Sequence, residues 1–316
     1  MKVAGRLTGR EAGPEARQEP QRLSGRAALV TGAGNGIGRA CAVALAAHGA
    51  RVMVNDLGTT EFAEGRSSTA ADATVAAIRE AGGTAEANYA SVADPAGCTS
   101  AVAATADAFG QVDIVVACAG AILDGSLAAS DDSYRRLVDL FLSQKFWLAR
   151  ASVPAMAERG WGRLITTTSE LARGQHGSPV GAAVFGGVIS LTKAIAHEHR
   201  GTGVTANCLA PGAATRLHAV ARPQFEQGLK SGLLTEQDWE SYVNTPPAEY
   251  VAPIVCWLCT DAASDVTGEV FHAAGGLLGV WSPYEHRRTA HHGDHHTAAP
   301  WTLEELDQIV PRILLG

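Results

Sequence analysis

Little of this 316-residue sequence is charged: Asp, Glu, Lys and Arg make up 18%, only four residues are lysine, and the net charge is −7. No basic stripe is therefore available for a nucleic-acid backbone or an anionic membrane surface. No apolar run approaches the length that crosses a bilayer and nothing resembles a signal peptide, so a soluble, cytoplasmic protein is expected. The six cysteines are scattered at 41, 98, 118, 208, 256 and 259, mostly inside apolar runs. That suits buried, reduced thiols better than a disulfide framework. Cys256 and Cys259 have ligand-like spacing, but no second pair accompanies them and the run around them reads as helix, so no metal is expected there. Neither a repeat nor a linker is apparent.

What is present is an alternation. Residues 1–24 are rich in Gly, Pro, Glu and Arg without periodicity and read as a disordered leader. From Arg26 onward, short apolar strands alternate with helices, which implies a doubly wound parallel sheet with helices on both faces. Strands are expected at 26–30, 51–55, 84–88, 112–116, 163–167, 204–209 and 269–272. Helices are expected at 39–48, 69–81, 95–109, 132–158, 180–200 and 249–260. The polar stretch 215–245 reads as a mobile lid. The economical division is a leader (1–24), one Rossmann-type domain (25–276) and a C-terminal extension (277–316).

The organising stretch is Thr31-Gly32-Ala33-Gly34-Asn35-Gly36-Ile37-Gly38. Between a strand and a helix, each glycine of such a motif has its own part to play. Gly32 permits the tight turn, Gly36 admits a pyrophosphate, and Gly38 lets helix pack on strand. The pyrophosphate then meets the N–H groups and dipole of the helix start. Asp56 follows eighteen residues beyond Gly38 at the end of the next strand, where a carboxylate accepts from ribose hydroxyls and repels a 2′-phosphate. NAD is therefore expected rather than NADP.

With the sixth strand (204–209) and its Ala210-Pro211-Gly212 close, the order of motifs resembles that of a short-chain dehydrogenase/reductase from Gly25 to the C-terminus. Within that superfamily, Asn55-Asp56-Leu57-Gly58, Ala87-Asn88-Tyr89, Tyr250-Val251-Ala252-Pro253 and Trp257-Leu258-Cys259 are similar to the (3R)-hydroxyacyl-CoA dehydrogenase domain of peroxisomal multifunctional enzymes. The tail Trp301-Thr302-Leu303-Glu304-Glu305 looks like the end of that domain and of its actinobacterial relatives. The resemblance implies a cofactor site of Thr31, Gly32, Asn35, Gly36, Ile37, Gly38, Asp56, Val92, Ala119, Gly120, Pro211 and Gly212. It also implies a homodimer or homotetramer joined through the two long helices.

The resemblance breaks at the chemistry. Family members use an asparagine, a serine, and a tyrosine followed four residues later by a lysine; four apart, those two share a helix face. An ungapped alignment of the helix puts Gly181 at the tyrosine position and Phe185 at the lysine position. Phe141 falls at the asparagine position and Thr168 at the serine position. None of the four lysines has a tyrosine four residues before it, and Lys193 lies about 12 Å along the helix from Phe185, too far to substitute. Ala117-Cys118-Ala119-Gly120 replaces the usual Asn-Asn-Ala-Gly. Weakened NAD binding and a roomier, more apolar site for a small hydrophobic substrate are expected.

Other groups could carry the chemistry instead. Thr168 and Ser169 supply hydroxyls, and the following loop carries Glu170, Arg173 and His176, a possible base, cation and acid. Cys118 could face the nicotinamide or be a small core residue, and Asp124 has similar standing. The histidine-rich tract His286–His296 could bind a divalent metal or simply be solvated. Three functional readings stay open: an NAD-dependent oxidoreductase with a rebuilt proton path, a non-redox dehydratase, isomerase or cyclase, and a non-catalytic subunit paired with an intact paralogue.

Overall fold

The computed structural model describes residues 21–174, 178–282, 288–291 and 300–314. The chain alternates strand and helix as the apolar pattern predicts: β1 (Ala27–Thr31), α1 (Gly36–Ala47), β2 (Arg51–Asn55), α2 (Thr69–Glu80), β3 (Thr84–Asn88), α3 (Pro95–Phe109) and β4 (Ile114–Ala117). Then come α4 (Asp131–Leu137), α5 (Gln144–Glu158), β5 (Gly162–Thr167), α6 (Pro179–Glu198), β6 (Val204–Pro211), α7 (Arg216–Lys230), α8 (Glu236–Val243), α9 (Ala252–Leu258), β7 (Val270–Ala274) and β8 (Leu277–Trp281). A separate C-terminal unit, residues 281–316, carries α10 (Leu303–Ile309), which starts with a capping box between Thr302 and Glu305.

The strands form one eight-stranded sheet in the order β3-β2-β1-β4-β5-β6-β7-β8. Every registered pair is parallel, and the central strands β1 and β4 are buried at every residue. Burial on both faces explains their unbroken apolar runs. One face packs α1, α2 and α9 through Leu45, Ile78, Val255 and Leu258; the other packs α3 and α5 through Val102, Leu148, Val153 and Met156. Each such side chain contributes about 1.5–3 kcal/mol through the area it removes from water. The order reverses direction between β1 and β4, and at this switch point the strand ends open a crevice for a ligand.

Four differences from the sequence-based expectation have local causes. The packed body begins ahead of Gly25, because Leu23 is buried and its N–H donates to the His48 carbonyl (2.9 Å). The helix expected over 132–158 is interrupted by a π-helical turn, Val138–Ser143. The polar stretch 215–245, expected as a lid, is built of two helices; Thr215 and Thr235 cap them by accepting from His218 and Asp238 N–H groups. Finally, β8 lies inside the expected extension: the two-residue turn Gly275-Gly276, with Gly275 at φ +57°, brings Leu277–Trp281 into the sheet.

Candidate dinucleotide site

A cavity of about 340 Å³ opens at the switch point. Its floor is the glycine turn. Gly32 has φ +64°, and a β-carbon there would stand 2.7 Å from the Ala119 α-carbon. Gly38 is tighter still, since its β-carbon would meet the Gly32 carbonyl oxygen at 2.2 Å. No other residue fits at either position. Asn35 precedes α1 in extended conformation with no side-chain cap, and no acidic residue occupies the first helical turn. The unpaired N–H groups of α1 thus remain available to an anion.

Asp56 closes one end of the cavity. It is 8% exposed, and its two oxygens each accept one backbone N–H, from Gly34 (2.8 Å) and Gly58 (2.7 Å). Those bonds fix the carboxylate while leaving each oxygen a further lone pair for a hydroxyl. A short link then wraps over it: Arg216, at the start of α7, donates to the Thr59 carbonyl (2.9 Å) and faces Glu61 (3.6 Å), while Arg136 donates to the Phe62 carbonyl (3.2 Å). Gly32, Asn35, Gly36, Ile37, Gly38, Asp56, Val92, Ala119 and Gly120 all line the cavity. The remaining three expected residues do not. Thr31 instead accepts from the Ala119 N–H (3.2 Å), Pro211 ends β6, and the Gly212 N–H donates to Ala273 (2.9 Å).

The corner where the family's proton relay would sit is filled. Phe141 and Phe185 meet edge to face with centroids 4.9 Å apart, and a β-carbon on Gly120 would touch the Phe141 ring at 2.8 Å. The enlargement expected at Gly181 is absent: a β-carbon there would lie 2.6 Å from Ser178 Oγ and 3.3 Å from a Leu171 methyl. Neighbouring side chains have closed over the missing ring, as close packing requires.

The hydroxyl and carboxylate candidates do not converge. Thr168 is buried and donates to the Phe185 carbonyl (2.9 Å). Ser169 accepts from the Leu171 N–H (3.3 Å), capping a short 3₁₀ turn, and Glu170 is exposed opposite Arg173 (3.8 Å). None of the three lines the cavity. His176 lies outside the described residues, as do His286, His292, Asp294, His295 and His296; among the described residues no cluster could hold a metal. Asp124 accepts from the Ser126 N–H, which holds its carboxyl below the usual range, at an exposed turn.

Several site residues escaped sequence reasoning. Arg136, Asp139 and Arg216 line the cavity, yet nothing in their local pattern distinguishes them from solvated surface. Gln144 and Lys145 are both fully buried on α5. Gln144 donates to the carbonyls of Ala119 (2.9 Å) and Leu140. The Lys145 ammonium sits 5.7 Å from the Phe141 ring centroid with no hydrogen-bond partner among the described residues. Burial pushes its pKa down to about 8. The π-helical turn that precedes them, of the kind that gathers at functional sites, is visible only in the folded chain.

Strand order, glycine turn and strand-end carboxylate define a Rossmann-type dinucleotide fold, and the chain belongs to the short-chain dehydrogenase/reductase family of oxidoreductases. The matching family model, described as enoyl-(acyl carrier protein) reductase, covers residues 32–278. Among curated relatives, peroxisomal multifunctional enzyme type 2 of Mus musculus is 36% identical over 262 residues, 82% of this chain and 33% of its own length. The chain thus spans about a third of that relative. A short-chain type dehydrogenase/reductase of Mycobacterium tuberculosis is 35% identical over 80% of this chain and 83% of its own. The crystal structure of a short-chain dehydrogenase from Mycobacterium avium superposes with a TM-score of 0.75 at 31% identity, covering 93% of this chain and 96% of that one. A 7α-hydroxysteroid dehydrogenase solved with NADH and a 7-oxo bile acid gives 0.68 at 26% identity, covering 81% and 95%.

Proposed function

We propose that this chain binds NAD(H) and is an atypical oxidoreductase acting on a small hydrophobic hydroxy or keto compound, its proton moving by a path other than a tyrosine–lysine pair. The observation that carries the reading is Asp56, fixed by two backbone N–H groups at the end of a cavity whose other end is the glycine turn and start of α1. An adenosine ribose suits the former and a pyrophosphate the latter. Bound NAD would supply a hydride acceptor, and NADH a donor. The chain's own residues would bind and orient: Val92, Leu123 and Leu140 offer apolar walls, and Arg136 and Arg216 place positive charge on the roof. Without a lysine at Phe185 the nicotinamide ribose loses an anchor, so affinity is set lower than in relatives that retain it.

Calorimetric titration with NAD, NADH and NADP, repeated on Asp56→Ala, tests this. The expected result is binding of NAD and NADH, weaker binding of NADP, and at least a tenfold loss in the variant; failure of the native chain to bind either NAD form would retire it. The packed corner of Phe141, Phe185 and Leu171 favours a second reading. In it, the scaffold serves a non-redox reaction (dehydration, isomerisation or cyclisation) or a non-catalytic partnership with an intact paralogue, and NAD binds without turnover.

Association as a homodimer or homotetramer is part of the proposal. It is supported by α6, a 20-residue helix that, against the sequence-based expectation, is long and apolar enough to cross a membrane by length and composition and is only partly buried, and by exposed Phe146 on α5. Residence in the cytoplasm, also proposed, is supported by the six cysteines, all of which are free thiols.

A further inference from the structure

A doubly wound sheet offers a dinucleotide two halves, one at the ends of the first three strands and one at the ends of the next three. Here the two halves differ. On the first, the polar groups that meet a nucleotide are open: each Asp56 oxygen keeps a lone pair beyond its bond to the Gly34 or Gly58 N–H, and the start of α1 carries neither a side-chain cap nor an acidic residue. Arg136 and Arg216 donate to the overlying link from one nitrogen each, which leaves further guanidinium N–H groups for a phosphate. On the second half, the corresponding groups are spent on the protein itself. Gln144 donates to the Ala119 carbonyl (2.9 Å), Thr168 to the Phe185 carbonyl (2.9 Å), and the Gly212 N–H to the Ala273 carbonyl (2.9 Å). The Phe141 ring covers Gly120 so closely that a β-carbon there would stand 2.8 Å from it, and Phe185 backs that ring edge to face. Among the described residues, none of β5, β6 or α6 lines the cavity, and its volume of about 340 Å³ lies near the lower limit of ligand pockets, about 300–1,000 Å³.

We infer that the site recognises the adenosine 5′-diphosphate half of a dinucleotide and leaves the nicotinamide half unheld, so that adenosine 5′-diphosphates without a nicotinamide, such as ADP-ribose and ADP, are ligands in their own right. The inference rests on the reading of the cavity as a dinucleotide site. An adenosine ribose and a pyrophosphate carry the groups that Asp56, the α1 N–H groups and the two arginines can pair. A nicotinamide ribose finds its partners at the Phe141–Phe185 corner already taken, and pressing its polar groups against two phenyl rings would cost hydrogen bonds to water without replacing them. Affinity that comes from one half is shared by every ligand that contains it. ADP-ribose therefore competes with NAD on nearly equal terms, and occupancy of the site follows the balance of adenosine diphosphates rather than NAD alone.

The test is calorimetric titration of the native full-length chain with NAD, ADP-ribose, ADP and nicotinamide mononucleotide, together with saturation-transfer NMR of NAD in the presence of the protein. Dissociation constants for NAD and ADP-ribose should agree within about threefold, ADP should lie within about tenfold of them, and nicotinamide mononucleotide should give no heat of binding. In the NMR experiment, the adenine protons of NAD should receive magnetisation from the protein and the nicotinamide protons should not. NAD binding more than about tenfold tighter than ADP-ribose, or nicotinamide protons as strongly saturated as adenine protons, overturns the inference and leaves the NAD reading standing. ADP weaker than ADP-ribose by more than about tenfold also overturns it, because the distal ribose is then held. Binding of ADP-ribose without binding of NAD leaves the inference standing and counts against the NAD reading instead. If neither binds, both fall.

Discussion

Replacing Lys145 by methionine should stabilise the protein, an unusual result for a residue with no exposure at all. The ammonium is held among apolar groups, with a single ring at 5.7 Å and no hydrogen bond among the described residues. Its pKa falls from 10.5 to about 8, chiefly through burial. At about 1.4 kcal/mol per unit, that fall means the folded state disfavours the charged form by about 3 kcal/mol. The cation–ring contact returns about 1 kcal/mol. Methionine keeps the length and apolar area of the lysine stem without the charge.

The pH dependence carries the sharper test. Below about 8 both folded and unfolded chains are protonated at Lys145, so the full penalty applies. Between about 8 and 10.5 the unfolded chain still binds the proton that the folded chain has released, so stability rises with pH and the penalty fades. Buried thiols work against this trend. Burial pushes Cys208 up to about 11 and Cys98 up to about 12, so the folded chain retains protons that unfolded thiols release above 9. Comparing the variant with the native chain at each pH cancels the burial part of that background, while the part set by Lys145, whose charge lowers both thiols, remains. Urea denaturation should show Lys145→Met more stable by about 2 kcal/mol at about pH 7, with the gap narrowing by about pH 9.5. A variant less stable than the native chain at neutral pH, or a gap that does not change with pH, would refute the reasoning.

Other consequences are open to simpler assays. Gly38→Ala should push the start of α1 away from the Gly32 carbonyl, which a β-carbon would meet at 2.2 Å; about 2 kcal/mol of lost stability and abolished NAD binding are expected by thermal denaturation and calorimetry. Phe185→Ala should cost about 3 kcal/mol, because the ring is 8% exposed and packs edge-on against Phe141. The same variant should bind hydrophobic ketones that the native chain excludes, read as ligand-induced shifts in melting temperature. Gly181→Tyr, which would install the family's missing ring, should fold poorly unless Ser178 is also reduced to glycine, since Ser178 Oγ stands 2.6 Å from the required β-carbon; circular dichroism melts of the single and double variants compare the two directly.

How far the sequence carries depends on the range over which its signals act. The strand–turn–helix from Ala27 to Ala47 and the strand ending before Asp56 were legible because alternation, glycine spacing and strand length are properties of consecutive residues. Asp56 could be singled out for the same reason, and the structure adds the two N–H donors that fix it. The helices inside the 215–245 stretch were not legible because α7 and α8 are polar and their threonine caps carry less signal than their composition. Strand β8 was missed because its residues become a strand only by pairing across Gly275-Gly276. At Gly181 a missing side chain looked like empty space, although the position of Ser178 and Leu171 leaves none.

By itself, then, the sequence determined seven of the eight strands and their parallel sense, the glycine turn and the absence of a Tyr-x-x-x-Lys pair, since each is written in residue identity and spacing along one stretch of chain. The tertiary structure alone decided which groups face one another. Arg136 and Arg216 meet the Thr59–Phe62 link from elements far apart in the chain. Lys145 is enclosed only when α5 docks on the sheet. Those contacts depend on distances between segments that no local pattern encodes, because burial is a property of the assembled core rather than of any residue within it.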